Sequence, residues 1–471
     1  MKQKFTKIVF ALAFLALSAG ASAQTSGSCG TTLNWQLTGS GSNLTLTISG
    51  TGAMTNFSNY SSSPWYSQRN NIKTIVINNG ATSIGNYAFY GCYNVTSVTI
   101  PYSVTSLGNY IFYNCDALAS VTIPNMVTSI GNYAFYSCDK LESIIIPNSV
   151  TTIGEHVFTN CYKLTYAVIG NLVSTIGDYA FNDCQLLATV DFNATNCTKM
   201  GNASPSNVFS GCTSFTTLNI GNNVIKLPNY AFYNCSRLTS VIIPNSVTSI
   251  GYAAFQSCSG LITITIGSSV NSIGSNVFSS CSKLSSIDVV VSNQNYSSDN
   301  GVLFNKNKNT LIKCPAGKTG SCTIPISVTS IDNYAFEYCT GLTDINVSWQ
   351  TPPNINSDVF YNVNTQSIKL HIPQGTKLTY QNAPVWKNFI LVDGAGTGIN
   401  NILESSINIY PNPVKDELKI ESDLEIKKVE ILDYSGKVIK NSINVSALPQ
   451  GVYFVKIETD KGIVTKRIIK E

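Results

Sequence analysis

The sequence predicts a repeat solenoid of mixed α/β class, built from stacked 23-residue coils. Each coil would be a parallel strand followed by a short helical or 3₁₀ return, between an all-β N-terminal cap and a C-terminal β-sandwich. Three observations predict it. An aliphatic anchor recurs every 23 residues from Ile84 through Leu107, Ile130 and Ile153 to Ile176, again at Leu227, Ile250 and Ile273, and once more at Ile331. The spacing F-x-x-C occurs in ten of these units, from Phe89/Cys92 to Phe336/Cys339. Charge is unevenly placed: residues 401–471 hold 11 Lys/Arg and 11 Asp/Glu, leaving 18 and 14 to the first 400, a step that marks a separate C-terminal domain.

At the N-terminus, Lys2, Lys4 and Lys7 precede the apolar run "IVFALAFLALSAGA" and the small residues Ala21-Ser22-Ala23. That layout predicts a secretory signal over residues 1–23, cut between Ala23 and Gln24. The run is short for a membrane span of about 20 residues. No later segment is long and apolar enough, so no transmembrane segment is expected after signal removal, and the mature chain leaves the cytoplasm. Residues 24–70 read as the β cap, with Leu44, Leu46 and Ile48 alternating as a strand hairpin does.

Residues 71–392 carry the coils. Within one, Leu141, Ile144 and Ile146 form a short strand closed by Pro147, which cannot extend a ladder. Val150 and Ile153 continue the inward set, Gly154 breaks the chain, and "EHVFTNC" brings Val157, Phe158 and Cys161 inward at helical spacing. One coil cannot bury its own apolar face; a stack can. The segment from about 292 to 322 interrupts the repeat, and "FNKNKNTL" within it reads as a hairpin turn between two short strands. Residues 393–400, in the Gly-rich "VDGAGTGINN", read as a linker. In residues 401–471, Leu418/Ile420, Val429/Ile431 and Tyr453/Val455/Ile457 alternate as strands of a small β-sandwich.

Thiols at a fixed period raise three readings: disulfides, a metal ladder or a packing column. Stacked coils place equivalent positions about 4.8 Å apart, which Cα separation alone does not forbid to a disulfide. A column whose side chains all point one way fits bridges poorly. Zinc would want convergent ligands, and the chain has only His156 and His371 and no C-x-x-C. The ladder cysteines therefore read as a buried packing column, and no metal is expected. Cys314 and Cys322 lie off the ladder, flanking "PAGKTGS", and are a candidate disulfide. Cys29 and Cys197 have no evident partner.

The unit "IGNYAFYNCxxLTSVxIPNSVTS" resembles the leucine-rich repeat variant of the BspA-like bacterial surface proteins, over about Asn71 to Leu391. The stretch from Cys29 resembles that family's N-terminal cap. "TPPNINSDVFYNVNTQSIKLHIP" resembles its degenerate closing unit, with Phe360 kept and Val363 in the cysteine's place. The resemblance implies a surface or secreted binding protein, with adhesion to host or matrix protein or to glycan as its role. A second resemblance covers the tail, which is similar to the type A C-terminal sorting domain of the type IX secretion system. Tyr410-Pro411-Asn412-Pro413, Gly436, Gly451-Val452-Tyr453 and Lys466-Arg467 carry it. It implies partnership with the type IX secretion and sorting machinery. The location it implies is the outer-membrane cell surface or the medium, with the tail removed or the body anchored.

A net charge of +4 gives no reason to expect nucleic acid. No catalytic constellation stands out. His156 occupies a column of tyrosines and reads as solvated, and His371 lies alone in the alternating strand "IKLHIP". No phosphate loop or cofactor motif appears. Outward strand positions are mostly Ser and Thr, and the departures cluster at Tyr166, Val168 and Asp191. These are the candidate ligand-binding residues, on the side such solenoids use for recognition. The tyrosines on the opposite face read mainly as cover. The expected function is a non-enzymatic adhesion or ligand-binding scaffold. A self-associating structural surface protein is the alternative, and an enzyme on a repeat scaffold is the remote third reading.

Overall fold

The 23-residue period becomes a parallel register in the computed structural model, which describes residues 25–201, 207–394, 407–433, 436–460 and 462–471. Ser143 pairs with Tyr166 and Tyr166 with Thr189, each 23 positions on. Most coils contribute a longer strand to one face, such as Tyr166–Ile169, and a two-residue strand to a second, such as Thr175–Ile176; the coil of Leu118–Ile123 forms only the second. The short-strand ladder runs unbroken through seven coils, from Gly52–Ala53 to Lys199–Met200. The N-terminal signal with its Ala23/Gln24 cut, and all but the first residues of the Gly-rich linker, lie outside the described residues.

At the N-terminal end, Ser26–Ser28, Leu33–Thr38 and Leu44–Gly50 form an antiparallel meander. Its last strand pairs in parallel with Ile72–Ile77, so the meander covers the open end of the first coil. Trp35 and Trp65 are buried there edge to face, ring centroids 5.8 Å apart.

The return arcs keep the three-residue turns expected of 3₁₀ structure, Tyr90 N to Tyr87 O at 3.3 Å and Cys92 N to Phe89 O at 3.2 Å, but not a continuous helix. They are strings of tight turns, with two residues per arc at positive φ in most coils, such as Tyr110 (58°) and Asn114 (55°). The physical reason lies in the amides. A helix would use them four residues back, but here Tyr87, Phe89 and Gly91 donate to Asn109, Ile111 and Tyr113 of the next coil at 2.7–2.9 Å. Helical spacing of inward side chains arose from a chain whose hydrogen bonds run between coils.

Where successive coils are bonded in this way, the arcs sit so close that the residue after the anchor must be glycine. An added Cβ at Gly131 would stand 2.5 Å from the Gly108 carbonyl carbon, and at Gly154 2.7 Å from the Asn132 nitrogen. Beneath the arcs, Phe89, Phe112, Phe135, Phe158 and Phe181 stack at 5.0–5.4 Å, fully buried. Each such ring stabilises the fold by about 1.5–3 kcal/mol through burial.

The cysteines beside them are free thiols, and they do more than fill space. Cys115, Cys138, Cys161 and Cys184 each donate S–H to a phenylalanine carbonyl of the preceding coil, at 3.1–3.4 Å. Burial pushes these thiols up, that of Cys92 to about 12. Cys314 and Cys322 are both buried with their thiols pushed up, and Cys339 donates S–H to the Cys314 carbonyl at 3.6 Å. Both members of the candidate disulfide are free thiols in the structure.

Both ladders break together at two places. The first is the long unit around Met200, where the Thr217–Ile220 strand does not pair with Ser240–Ile242, nor Lys199–Met200 with Lys226–Leu227. The second is the hairpin insertion, where Val302–Asn305 and Thr310–Lys313 pair as expected and the coil takes a shortened path. The last coils pair Leu342–Asn346, Lys369–Ile372 and Ile390–Asp393 in parallel. The C-terminal domain has a two-stranded and a four-stranded antiparallel sheet around Ile407, Leu418, Ile431, Val455 and Ile468.

Candidate functional site

The parallel register carries outward residues into columns across the strand face. One column runs Ile145, Val168, Asp191, Asn219; its neighbour runs Ser143, Tyr166, Thr189, Thr217. The three residues singled out in the sequence therefore meet in adjacent coils. The Tyr166 hydroxyl donates to Asp191 Oδ2, and Asn219 Nδ2 donates to Oδ1 at 2.7 Å. That bond to Asp191 is the main reason the Tyr166 phenol is raised above its ordinary range, so it stays a donor at neutral pH. Each carboxylate oxygen accepts one bond and retains acceptor capacity for a ligand.

Val168 stands directly beside Asp191, and Ile145 beyond it is 62% exposed, so an apolar strip adjoins the polar trio. On the other side, the unpaired seam opens a cleft of about 340 Å³, bordered by Thr216, Asn219, Asn222, Ser240 and Ile242. At this seam the Thr239 amide lacks the bond to the preceding coil that Thr165, Ala188 and Ile262 make. Asn219 was not legible as a site residue. Its outward position was, but its place beside Asp191 needs the register across a unit 28 residues long, Phe181 to Phe209.

The tyrosine face resolves differently. Tyr87, Tyr110 and Tyr133 stack at 4.7–4.8 Å, and Tyr90, Tyr113 and Tyr136 at 4.6–4.8 Å, nearly parallel. Ring faces cover one another and only edges and hydroxyls point out, which supports the reading of these rings as cover. His156 is half-buried rather than freely solvated. It is stacked within the column, 4.8 Å from Tyr133 and 5.1 Å from Tyr179, and burial lowers its pKa. His371 binds Asp344 Oδ1 through Nε2 at 2.7 Å, a contact that holds the Asp344 carboxyl below its ordinary range. The nearby Thr343 hydroxyl donates to that carboxylate, not to the imidazole. Among the described residues no cluster of three His, Cys, Asp or Glu side chains could hold a metal. No helix among them is long and apolar enough to cross a membrane.

The tail residues converge too. Asn412 donates to the Arg467 carbonyl at 3.0 Å and accepts from the Ile469 amide at 2.8 Å, which ties the Tyr410–Pro413 turn to the strand holding Lys466 and Arg467. Gly436 takes a φ of 83° in a turn, and Gly451 and Tyr453 open the long Gly451–Thr459 strand. The Arg467 guanidinium meets Asp288 and Ser286 on the solenoid's strand face.

Residues 61–188, 202–319 and 316–384 match the BspA type leucine-rich repeat region, in six copies. Residues 408–471 match the secretion system C-terminal sorting domain. Among solved structures, a leucine-rich repeat protein from Bacteroides ovatus is similar at 20% identity, TM-score 0.48, over 77% of this chain and 98% of that one. A leucine rich cell surface protein from Faecalibacterium prausnitzii is similar at 20% identity, TM-score 0.37, over 80% and 96%. No curated protein matches.

Proposed function

Because this chain belongs to the BspA-type leucine-rich-repeat family and ends in a type IX sorting domain, we propose that it is an exported scaffold that captures a ligand on its strand face. The sorting domain sends it to the cell surface or the extracellular space. The observation that carries the binding reading is the Tyr166–Asp191–Asn219 trio beside the seam cleft. In a face otherwise tiled with Ser and Thr, it joins directional acceptors, a fixed phenol and an apolar strip. An adhesion role with an extracellular protein or glycan suits that mixture. The domain limits follow the sequence reading: cap 24–70, solenoid 71–392, linker 393–400 and sorting domain 401–471. The repeat family is one of scaffolds, and the reading is of a binding protein rather than an enzyme. The test is a screen of the purified protein on glycan and extracellular-matrix protein arrays, followed by Tyr166→Ala and Asp191→Ala on any hit. Hits whose affinity is indifferent to both substitutions would refute the strand-face site.

A further inference from the structure

The shortened coil leaves a notch in the return face. Leu311 pairs with Ile331 and Gly320 with Leu342, so the same arc takes eleven residues in the regular coil and nine in the one before it. The shorter arc lacks the F-x-x-C turn and passes inside the line of its neighbours. Three consequences follow. A cavity of about 700 Å³ opens between the arcs at Ile273–Ser279 and Ile331–Tyr334, continuous through Asn276, Ser279 and Tyr334 with a second of about 360 Å³. The amides of Asn276, Phe278 and Ser280 donate to no carbonyl among the described residues, whereas their counterparts Tyr230, Phe232 and Asn234 bond the next coil. The crowding that demands glycine is relieved, and the position after the anchor is Asp332.

The chemistry of the walls is specific. Tyr334, 40% exposed, belongs to the tyrosine column but has no ring stacked on it from the preceding coil; its one ring contact is with the edge of Tyr361, 5.8 Å away. Its face toward the notch is open, unlike those of Tyr110 or Tyr113. Asn276, Asn333, Asn354 and Asn356 supply amides, and Asp332 an exposed carboxylate. Lys313 and Glu337 are neutralised by each other at 3.3 Å, with Ser279 also on the Glu337 carboxylate, so they add no net field. The floor is apolar, from Phe278, Ile312 and Ile331. An open aromatic face, amide and carboxylate partners for vicinal hydroxyls, unpaired backbone donors and little net charge fit a pyranose ring. The larger cavity lies within the roughly 300–1,000 Å³ of small-molecule sites.

We propose that the notch between the Phe278 and Phe336 coils is an oligosaccharide-binding site for neutral sugars, separate from the strand face, with a sugar ring packed on Tyr334 and its hydroxyls held by Asp332 and the surrounding asparagines. The experiment is calorimetric titration of the intact mature protein with neutral hexasaccharides built on glucose, mannose, xylose, galactose and N-acetylglucosamine. At least one should bind at millimolar or tighter Kd. Tyr334→Leu and Asp332→Gly should each weaken it at least about tenfold, while Asp191→Ala and Tyr133→Leu leave it unchanged. Asp332→Gly restores the residue found after the anchor in most other coils, such as Gly251 and Gly274, and so tests the site in a chain expected to fold; thermal melting checks both variants. The proposal is overturned if none of the sugars binds. It is equally overturned if binding survives both notch substitutions, or if Asp191→Ala removes it.

Discussion

Replacing Gly154 by alanine tests whether inter-coil contact dictates the Ile-Gly motif. The new Cβ would lie 2.4 Å from Asn132 Oδ1, 2.7 Å from the Asn132 nitrogen and 2.8 Å from the Gly131 carbonyl carbon. Ordinary contact begins at 3.4 Å, so the two arcs must separate by about 0.7 Å at the backbone. Gly154 is not at positive φ, so the effect is steric rather than conformational. Overpacking of this kind costs about 1–3 kcal/mol. The separation also stretches the bonds from Gly154 N to Ile130 O and from Glu155 N to Asn132 Oδ1, now 2.9 and 2.8 Å. Those bonds are worth about 1 kcal/mol each, which brings the expected loss to about 3–5 kcal/mol, or roughly 4–7 °C in thermal midpoint for a solenoid of about 320 residues. Asp332→Ala is the control, because the short arc leaves room there; its midpoint should stay within about 1 °C. Circular dichroism melts of the two variants decide the matter. A Gly154→Ala chain that melts with the wild type, or an Asp332→Ala chain that falls as far, would refute the packing argument.

Other expectations follow from the thiols and the tail. Keeping buried thiols protonated contributes stability in full below the unfolded value of 9.0, and this is lost as pH rises toward the folded value, about 12 for Cys92. Each such thiol lowers stability by about 1.4 kcal/mol per pH unit in that window, so melting temperature should collapse above pH 9 and hold steady from 6 to 8. A flat profile to pH 11 would contradict the buried ladder. Cys138→Ser keeps a donor for the Phe112 carbonyl and should cost about 1–2 kcal/mol, no more than Cys138→Ala by urea denaturation. Non-reducing mass spectrometry should find the ladder cysteines unpaired and Cys314–Cys322 as the pair that oxidation links. Deleting residues 407–471 should leave the body folded but retained in the periplasm, as cell fractionation would show; normal surface amounts would exclude a sorting role.

Much of this architecture is legible in the sequence because a solenoid writes each structural column as a period. Ile153, Gly154, Phe158 and Cys161 recur together, and the columns they form are the core. The return arcs keep the three-residue turns but not a continuous helix, because side-chain spacing does not report that every second amide points to the next coil. The two breaks were legible in a way easily passed over: Pro228 and Asp332 stand where other coils have glycine, and each marks a coil whose neighbour is not tightly bonded to it. His156 looked like an exposed substitution, but a flat ring of similar thickness can replace tyrosine in a stack. Tyr166 and Asp191 were visible as departures from a monotonous face; that they bond each other, and that Asn219 completes the set, depends on coil lengths that only the folded register resolves.

The most direct measurement of the central claim is surface plasmon resonance of wild-type and Asp191→Ala protein against the ligand found on the arrays. Asp191 holds Tyr166 and Asn219 together and offers its carboxylate to the ligand; a hydrogen bond from the ligand to that charged group is worth about 1.5–3 kcal/mol, so the variant should bind about 10- to 100-fold more weakly while still melting as a folded protein. Equal affinity in the two proteins would contradict ligand capture at the strand face.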